Sequence, residues 1–529
     1  MIASQLSPTP EFAATDLIEQ VELFRLAANR QLDSRRRAEL GQFMTPAAIA
    51  RLMASMLTCD TSEVTLLDAG AGVGSLLSAA VVALSSREQP PKSIRITAYE
   101  LEPIMVAYLH DTLQLCAKLC DQKGIRFSSE IITIDFIAHT VDVLANPLFE
   151  QSRAEYSCAI LNPPYRKIQT TSATRRQLSR VGIETSNLYT GFLALAAQLL
   201  AKEGELVAIT PRSFCNGPYF QPFRKFFLDT MALRQFHIFE SRQQAFQDDA
   251  VLQENIIVSA VKSQVHPHTV LVTSSLDSED EMPTIHDMHY TDVVHPGDPQ
   301  LFIHLFVDQA SAQVATRAEA FSATLADLEL EVSTGRVVDF RARSFLRTHP
   351  SDDTGPLIYP THMVDAGIVW PKPASKKPNA LMFCNATKDL FVPNEYYVLL
   401  KRFSSKEERR RIVAAVYDPT NIPSTVVGFE NHLNYFHYQG HGIDATLARG
   451  LAAFLNSTQV DAYFRQFNGH TQVNATDLRM MRYPSRAQLL ALGRHIGEHF
   501  PTQDEIDALV AQECMTMTNT SELDPIRIR

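Results

Sequence analysis

Short apolar runs alternate with longer amphipathic segments through the first half of the chain. One run covers Val64–Leu67, and later runs end at Glu100, near Asp135 and at Asn162, with a fifth after Gly204. The segments between them repeat apolar residues every three or four positions, the spacing of a helix with one buried face. Repeated strand–helix units of this length predict an α/β fold with a mainly parallel, doubly wound sheet and helices on both faces.

Further elements are predicted on either side of these units. Residues 16–40 have a helical pattern, and Thr45 and Pro46 predict the N-cap and first turn of a helix that runs to about Leu57. Residues 223–241 and 254–262 predict additional strands of the same sheet.

Polarity changes in the second half and suggests domain boundaries. Residues 266–330 are acidic and polar and predict a linker or peripheral insertion, whereas 331–485 contain short strand-like runs, loops and aromatic residues typical of a mixed α/β domain. Residues 486–529 predict a helix or two and a tail. With an N-terminal helical segment at 1–40 and the α/β sheet at 41–265, the chain divides into five segments.

Composition narrows the class of protein. The chain has 529 residues and no apolar run near 18 residues, so we expect neither a membrane span nor a signal peptide. The seven cysteines form no CxxC pair, which predicts reduced thiols in a cytoplasmic protein without structural zinc. Net charge is −11, but residues 331–480 hold 17 Lys and Arg against 14 Asp and Glu. This asymmetry favours a partner-binding role for the second half.

Chemically distinctive residues occur where the predicted strands end. The first strand leads into Asp68–Gly74, a GxGxG loop, and the next two lead to Glu100 and to Asp135 with Phe136. Ligands of parallel sheets bind at the carboxyl ends of the strands, where acids accept ribose hydroxyls or an adenine amino group. Each feature alone is as consistent with packing or solvated acids, but together they favour an adenosyl ligand.

The fourth strand ends in Asn162-Pro163-Pro164-Tyr165. An exocyclic amine of a planar base is a poor nucleophile because its lone pair is delocalised into the ring. The Asn162 side-chain oxygen and the Pro163 carbonyl can accept its two hydrogens, the prolines stiffen the turn, and Tyr165 offers a face for an extruded base. An Asn-Pro turn that merely ends the strand explains Asn and Pro but not the agreement with the other strand ends.

These motifs resemble those of the S-adenosylmethionine-dependent, amino-methylating DNA methyltransferases of the gamma order. The resemblance covers roughly residues 40–265 and makes residues 331–485 the DNA target-recognition domain. It implies binding of S-adenosylmethionine and catalysis by Asn162, Pro163, Pro164 and Tyr165, with Phe246 (or else Phe239) stacking on the flipped base opposite Tyr165. The implied cofactor-binding residues are Thr45, Pro46, Asp68, Ala69, Gly70, Gly72, Glu100, Asp135, Phe136 and Asn162.

Segments such as 184–196 and 428–437 are similar to methyltransferases of PstI- and BsuBI-type type II restriction–modification systems. That similarity implies methylation of adenine N6 in duplex DNA, with CTGCAG as a possible site. It also implies a bacterial cytoplasmic protein acting at the nucleoid, a cognate endonuclease acting separately, and a monomer.

Basic residues supply candidate DNA contacts. Between Tyr165 and Gly182 the chain carries five bases and no acid, in what we expect to be a loop. Cations there and in the second half can hold phosphates. The candidates are Arg166, Lys167, Arg175, Arg176, Arg336 and Arg341. The run at 406–411 is instead expected to be a solvated helix face, and His432, His437 and His441 are too irregularly spaced to predict a metal site.

Other functions stay open at this level. Relatives with the same motif methylate glutamine or RNA, but they are usually little more than the catalytic domain. Cytosine N4 methylation often has Ser at the motif start, so Asn162 favours adenine. A binding module with a surviving cofactor site and a fused nuclease are the remaining alternatives, and about 40 residues before the first motif are too few for a nuclease.

Overall fold

The computed structural model describes residues 14–32, 44–146, 155–239, 254–275, 283–306, 321–404, 408–467, 472–497 and 499–515. The chain forms two compact units, Met1–Val307 (unit 1) and Asp308–Arg529 (unit 2). Among the described residues, no helix combines the length and apolar character needed to cross a membrane.

Unit 1 is built on one large sheet. Its described strands are β1 Glu63–Ala69, β2 Ser93–Tyr99, β3 Arg126–Ile132, β4 Tyr156–Leu161, β5 Leu200–Pro211, β6 Ala232–Phe239, β7 Asn255–Val261, β8 Thr269–Ser275 and β9 Thr284–His289. Its described α-helices are α1 Ala14–Gln31, α2 Ala47–Ser55, α3 Ser75–Ser85, α4 Pro103–Gln122, α5 Phe136–Ala145, α6 Ala173–Ser179, α7 Leu188–Leu199, α8 Gln221–Thr230 and α9 Tyr290–Val293.

The strand order is β3-β2-β1-β4-β5-β7-β6-β8-β9. Strands β1 to β5 pair in parallel, and β7 is antiparallel to β5 and β6. The order reverses between β1 and β4, so these two strands form the switch point at which such sheets bind ligands. The predicted Rossmann-like, doubly wound sheet is confirmed.

Close packing fixes the turn from β1 into α3. Gly74 has φ +89, and a Cβ there would lie 2.8 Å from Cγ2 of Thr112 and 3.0 Å from Leu109. A side chain would therefore be strained in its backbone and would push α4 away. The glycine after β1 is needed for packing, independently of any ligand.

Two predictions for unit 1 are wrong. Residues 223–230 form α8 rather than strand, because Phe223 and Phe227 lie one helical turn apart and are both buried. Within the predicted linker or peripheral insertion at 266–330, β8 pairs with β6 and β9 pairs with β8, so these described residues extend the sheet at its edge and do not form a linker. Buried positions do not alternate along β8, because its last four residues are all buried and three of them are polar, so the sequence showed no strand pattern.

The described residues of unit 2 form three smaller sheets and several helices. The strand orders of the sheets are β10-β20-β17-β18, β11-β15-β12-β19-β16 and β13-β14. The strands are β10 Glu331–Thr334, β11 Leu346–Arg347, β12 Thr354–Ile358, β13 Met363–Val364, β14 Gly367–Ile368, β15 Ala380–Met382, β16 Phe391–Pro393, β17 Tyr397–Lys401, β18 Ala414–Tyr417, β19 Val426–Phe429 and β20 Leu433–His437. The α-helices are α10 Asp339–Ala342, α11 Ala445–Leu455, α12 Thr458–Phe467, α13 Ala475–Met480, α14 Arg486–Arg494 and α15 Gln503–Met515. The predicted mixed α/β domain is confirmed.

The domain boundaries in unit 2 differ from the prediction. Phe321, Leu328 and Ile506 belong to the same apolar core as α11 and α14, so the segments before 331 and after 485 are parts of one unit. Helices α11 and α14 cross closely, because a Cβ at Gly450 would lie 1.9 Å from the carbonyl oxygen of Leu489.

The basic run at 406–411 is not a solvated helix face over its described part. Arg411 is fully buried, its backbone N–H donates to Asp461, and its guanidinium lies 5.8 Å from the ring of Phe464. Arg410 donates to the carbonyl of Ser457 and to Gln503. The sequence KEERRR contains no apolar residue, so its pattern could not predict that Arg411 is buried.

Candidate functional site

A cavity of about 340 Å³ opens at the carboxyl ends of the central strands of unit 1. Residues after β1, β2, β3 and β4 contribute to it, together with Met44, Thr45 and the start of α7. Its lining residues are Met44, Thr45, Gly70, Ala71, Gly72, Val73, Ser75, Leu76, Tyr99, Glu100, Leu101, Met105, Ile134, Asp135, Phe136, Ile137, Asn162, Pro164, Arg166, Thr174, Leu188 and Phe192. The structure thus brings all four predicted strand ends to one cavity.

Backbone amides and Glu100 shape the floor of the cavity. The N–H groups of Gly70 and Ala71 both donate to the carbonyl of Tyr99 at 2.9 Å, and the N–H of Gly72 donates to Oε2 of Glu100 at 2.8 Å. Gly70 and Gly72 adopt φ +96 and +58, which favours glycine. The loop therefore reaches its conformation by bonding to the end of β2.

Glu100 is a buried acceptor with capacity to spare. Its Oε1 accepts the backbone N–H groups of Leu101 and Glu102, both at 2.8 Å. Burial raises its pKa, and the backbone donors act against that rise. A carboxylate has about four lone-pair sites, so Oε2 retains room for a ligand hydroxyl beside the bond to Gly72.

Asp135 and Phe136 lie at the start of α5 rather than at the end of β3. Strand β3 ends at Ile132, and Asp135 caps the helix by accepting the N–H of Ala138 at Oδ1, 2.8 Å. Phe136 lines the cavity and packs against Tyr99 and Phe192, at centroid distances of 5.0 and 5.1 Å. The cap leaves Oδ2 of the exposed Asp135 available to a ligand.

Three predicted cofactor residues are not part of the cavity lining. Pro46 is the N-cap of α2, Ala69 is fully buried, and Asp68 is fully buried with neither carboxylate oxygen bonded within the described residues. Burial, and then the charge of Glu100, raises the pKa of Asp68 well above its usual 3.8. These assignments stay predictions.

Thr45 does not cap α2 as the sequence pattern predicted. The first amide of that helix, Ala47 N–H, donates to Oε2 of Glu22 in α1 at 3.0 Å. The carboxylate compensates the positive end of the helix. The Thr45 hydroxyl is therefore free to bond elsewhere.

Thr45, Asn162 and Tyr165 form a chain of hydrogen bonds at the cavity. Nδ2 of Asn162 donates to Oγ1 of Thr45 at 3.0 Å, and Oη of Tyr165 donates to Oδ1 of Asn162 at 3.0 Å. Tyr165 also approaches the carbonyl of Ile209 in β5 at 3.2 Å. The two ends of the Asn162 carboxamide are thereby distinguished, with the oxygen directed to Tyr165.

Tyr165 is half-buried, and burial raises its pKa well above the usual value, so its hydroxyl stays protonated and acts as a donor. Its ring meets that of Tyr189 edge to face, with centroids 6.1 Å apart. Pro163 is buried, and no described donor is bonded to its carbonyl. Phe246 lies outside the described residues, whereas Phe239, the fallback, is buried at the end of β6.

The basic segment after Tyr165 is partly helical rather than a plain loop. Helix α6 begins after Ser172, whose hydroxyl caps it by accepting the N–H of Arg175. Arg166 lines the cavity, and Lys167 and Arg176 are exposed. Arg180 instead pairs with Asp142 at 3.0 Å.

The two candidates for DNA contact in unit 2, Arg336 and Arg341, are exposed. Asn434 in β20 is fully buried and donates to the carbonyl of Val473. The described residues contain no cluster of side chains that could hold a metal ion, and all seven cysteines are free.

The cavity fits an adenosyl ligand by its chemistry. Acceptors with spare capacity, Glu100 and Asp135, stand beside apolar side chains that are unusually exposed, Leu101 at 55% and Ile134 at 54%. A planar, apolar-faced base with hydroxyl and amino groups suits this mixture. Sequence patterns missed Leu101, Ile134 and Phe192. Leu101 follows Glu100 and Ile134 precedes Asp135, so their position beside these acids was one available signal. For Phe192 the signal was its place in the apolar helix α7.

Comparisons with known proteins match this chain to methyltransferases of restriction–modification systems. The family of Eco57I restriction-modification methylases matches residues 98–246. The type II methyltransferase M.PstI of Providencia stuartii is 46% identical over 497 residues, which cover 94% of this chain and 97% of that protein. The type II methyltransferase M.BsuBI of Bacillus subtilis is 42% identical over 501 residues, 93% of this chain and 97% of that protein.

A solved structure shares the fold at low identity. The type IIL restriction-modification enzyme MmeI, solved in complex with DNA, has a TM-score of 0.52 and 12% identity, over 94% of this chain and 73% of that chain. At this identity the similarity is one of fold alone.

Proposed function

Because this chain belongs to the family of type II methyltransferases of restriction–modification systems, we propose that it methylates adenine N6 at a specific site in duplex DNA. The family confirms the resemblance that the sequence motifs indicated. The choice of adenine, the extrusion of the base and the recognition site are the parts that we propose here.

The observation that carries the proposal is the orientation of the Asn162 carboxamide at the cavity. Thr45 accepts from its Nδ2, so Oδ1 is the end presented to an incoming donor. Together with the Pro163 carbonyl, it can accept both hydrogens of an exocyclic amine. Accepting them holds the amine nitrogen out of conjugation, with its lone pair directed toward the cavity.

S-adenosylmethionine is the cofactor, and when bound it supplies an electrophilic methyl group. Gly70, Gly72, Glu100 and Asp135 would hold its adenosyl part, with Glu100 accepting from the ribose. No general base is needed before attack, since the amine releases its proton to water afterwards. The chain's own contribution is to orient the amine toward the methyl group.

Tyr165 has two roles in the proposed reaction, one before the base enters and one after. In the structure its hydroxyl donates to the Asn162 oxygen that the amine requires. Entry of a base therefore requires Tyr165 to release that oxygen, and its ring is then available to stack on the extruded base. The Asn162 oxygen therefore has a donor both before and after the base enters.

DNA is the substrate because the family belongs to restriction–modification systems and unit 2 adds a domain that amine methylation alone does not need. CTGCAG is the first site to test, since it is the site that the resemblance of the sequence motifs implied. Arg166, Lys167, Arg175 and Arg176 follow the catalytic motif and hold the phosphates around the extruded nucleotide. Such a protein acts as a monomer in the bacterial cytoplasm, beside a separate endonuclease.

The test is methyl transfer in vitro. Duplexes with and without one CTGCAG are incubated with the protein and S-adenosylmethionine, digested to nucleosides and analysed by mass spectrometry. We expect N6-methyladenine in the first duplex, and none with Asn162→Ala. Methylation of cytosine alone, or equal activity of the variant, contradicts the proposed chemistry. If neither duplex is modified, bacterial genomic DNA replaces them, and absence of any modified adenine there refutes the function.

A further inference from the structure

Phe340 in α10 of unit 2 has 76% of its surface exposed, more than any other described phenylalanine. Single exposed apolar residues are common on protein surfaces, so exposure alone indicates no role. What distinguishes Phe340 is the rigidity of its support and the charge of its neighbours.

The helix that carries Phe340 is held by a polar anchor. The neighbouring Asp339 accepts from Oη of Tyr359 at 2.7 Å and from Nζ of Lys377 at 2.9 Å. Lys377 also lies 5.1 Å from the centre of the Tyr359 ring. Its charge therefore offsets that of Asp339, which is the acid nearest in sequence to Phe340.

The backbone before α10 is fixed as well. Val337 is fully buried, its N–H donates to the carbonyl of Phe429 at 3.0 Å, and its carbonyl accepts from Asn431 at 2.9 Å. A Cβ at Gly335 would lie 2.2 Å from the carbonyl oxygen of Glu430. The backbone that leads into α10 is thus held in place, and the Phe340 ring that follows it is exposed.

The segment that carries the ring is rich in arginine, and one arginine lies against the ring. Residues 335–347 contain four arginines and one acid, in a chain of net charge −11. The guanidinium of Arg341 lies 5.5 Å from the centre of the Phe340 ring, and Arg336 donates to backbone carbonyls. Arg336, Arg341 and Arg343 are exposed, and within the described residues none of them forms an ion pair with a carboxylate. A polyanion complements this surface.

We propose that Phe340 makes an apolar contact with a base of duplex DNA, while Arg341 and Arg343 bind the adjoining phosphates. This proposal rests on the proposed function, since it assigns a contact to the DNA that the enzyme methylates. Phosphate contacts release counterions and depend steeply on salt, whereas a ring against a thymine methyl or a base step does not. The two kinds of contact can therefore be separated by experiment.

The experiment compares the full-length wild type with Phe340→Ala, Phe340→Ser and Arg343→Gln. The matched control is Ile285→Ala, which removes an apolar side chain of similar exposure, 66%, from edge strand β9. Methyl transfer to unmodified bacterial genomic DNA is measured from 50 to 200 mM salt. Kd for S-adenosylmethionine and the thermal midpoint are measured in parallel, and we expect both to match the wild type.

For both Phe340 variants, we expect KM for DNA to rise about tenfold at every salt concentration. The slope of log KM against log salt should be unchanged. Arg343→Gln should raise KM and reduce that slope by about one. Ile285→Ala should match the wild type.

A wild-type KM in both Phe340 variants, or a reduced salt slope in them, overturns the proposal that the ring contacts a base. Failure of the wild type to methylate this DNA refutes the proposed function itself, and this inference with it. If the wild type is active and both Phe340 variants keep its KM for DNA, the contact between Phe340 and a base is refuted and the proposed function stands.

Discussion

The side-chain amide of Asn162 donates to the hydroxyl of Thr45 across 3.0 Å, although the two residues are 117 positions apart in the chain. Thr45 lies two residues before α2, and Asn162 directly follows β4. The bond directs the carboxamide oxygen of Asn162 to Tyr165. A residue assigned by resemblance to the cofactor therefore also bonds to the side-chain amide that we propose to be catalytic.

Thr45→Val removes the hydroxyl while keeping the shape of the side chain. We expect kcat to fall about tenfold, the effect of one lost buried hydrogen bond on the orientation of Asn162. Thr45→Ser should recover most of the loss. Initial rates at saturating DNA and cofactor check this. A pure rise in KM for S-adenosylmethionine, with kcat unchanged, would instead assign Thr45 to cofactor binding alone.

Tyr165→Phe removes the hydroxyl that occupies Asn162 Oδ1 but keeps the ring. We expect kcat within about threefold of wild type, whereas Tyr165→Ala should lose about a hundredfold, because the extruded base loses its stacking partner. Fluorescence of 2-aminopurine at the target position reports extrusion. Equal losses in the two variants would show that the hydroxyl, and not the ring, matters.

Sequence patterns predicted the sheet and the strand-end residues because both follow from local periodicity and from one rule about parallel sheets. Glu100, Asp135 and Asn162 reach one cavity for that reason. The same patterns could not predict that Thr45 bonds to Asn162 or that Glu22 caps α2, since those partners are set by packing between distant segments.

Glu100→Gln tests the acid at the end of β2. Its carboxylate accepts the amides of Gly72, Leu101 and Glu102, and an amide group would present an N–H₂ to one or more of these donors. We expect Kd for S-adenosylmethionine to rise at least about tenfold. Calorimetric titration measures this, with the exposed Glu130→Gln on β3 as control. Unchanged affinity would remove Glu100 from the cofactor site.

Asp68→Asn tests the buried carboxyl at the end of β1. Because its pKa is raised in the fold, Asp68 keeps its proton at pH values where the unfolded chain releases it. Below about pH 3.8, Asp68 is protonated in both states and does not lower the free energy of unfolding. Above that pH, the free energy of unfolding of the wild type falls by about 1.4 kcal/mol per pH unit, up to the pKa of Asp68 in the folded protein.

The variant has no such group, so its free energy of unfolding relative to wild type should increase as pH rises. Denaturant unfolding from pH 5 upward measures the difference. A constant difference across this range would show that Asp68 titrates normally in the folded protein.

Unit 2 shows where sequence reasoning is weakest. Arg411 was expected in solvent and is buried, because Asp461 and Phe464 reach it from a helix fifty residues later in the chain. Asn434, a polar residue of β20, is likewise buried and bonds to Val473 inside the domain. Short strands joined by irregular loops have little periodicity, so neither burial nor exposure could be assigned from the pattern.

The most direct test of the account is single-molecule sequencing of DNA from cells that express the wild type, compared with cells that express Asn162→Ala. We expect N6-methyladenine at one recurring sequence in cells that express the wild type. In cells that express the variant, we expect no N6-methyladenine at that sequence. No new modified adenine with the wild type, or the same modified sequence with Asn162→Ala, would contradict the account.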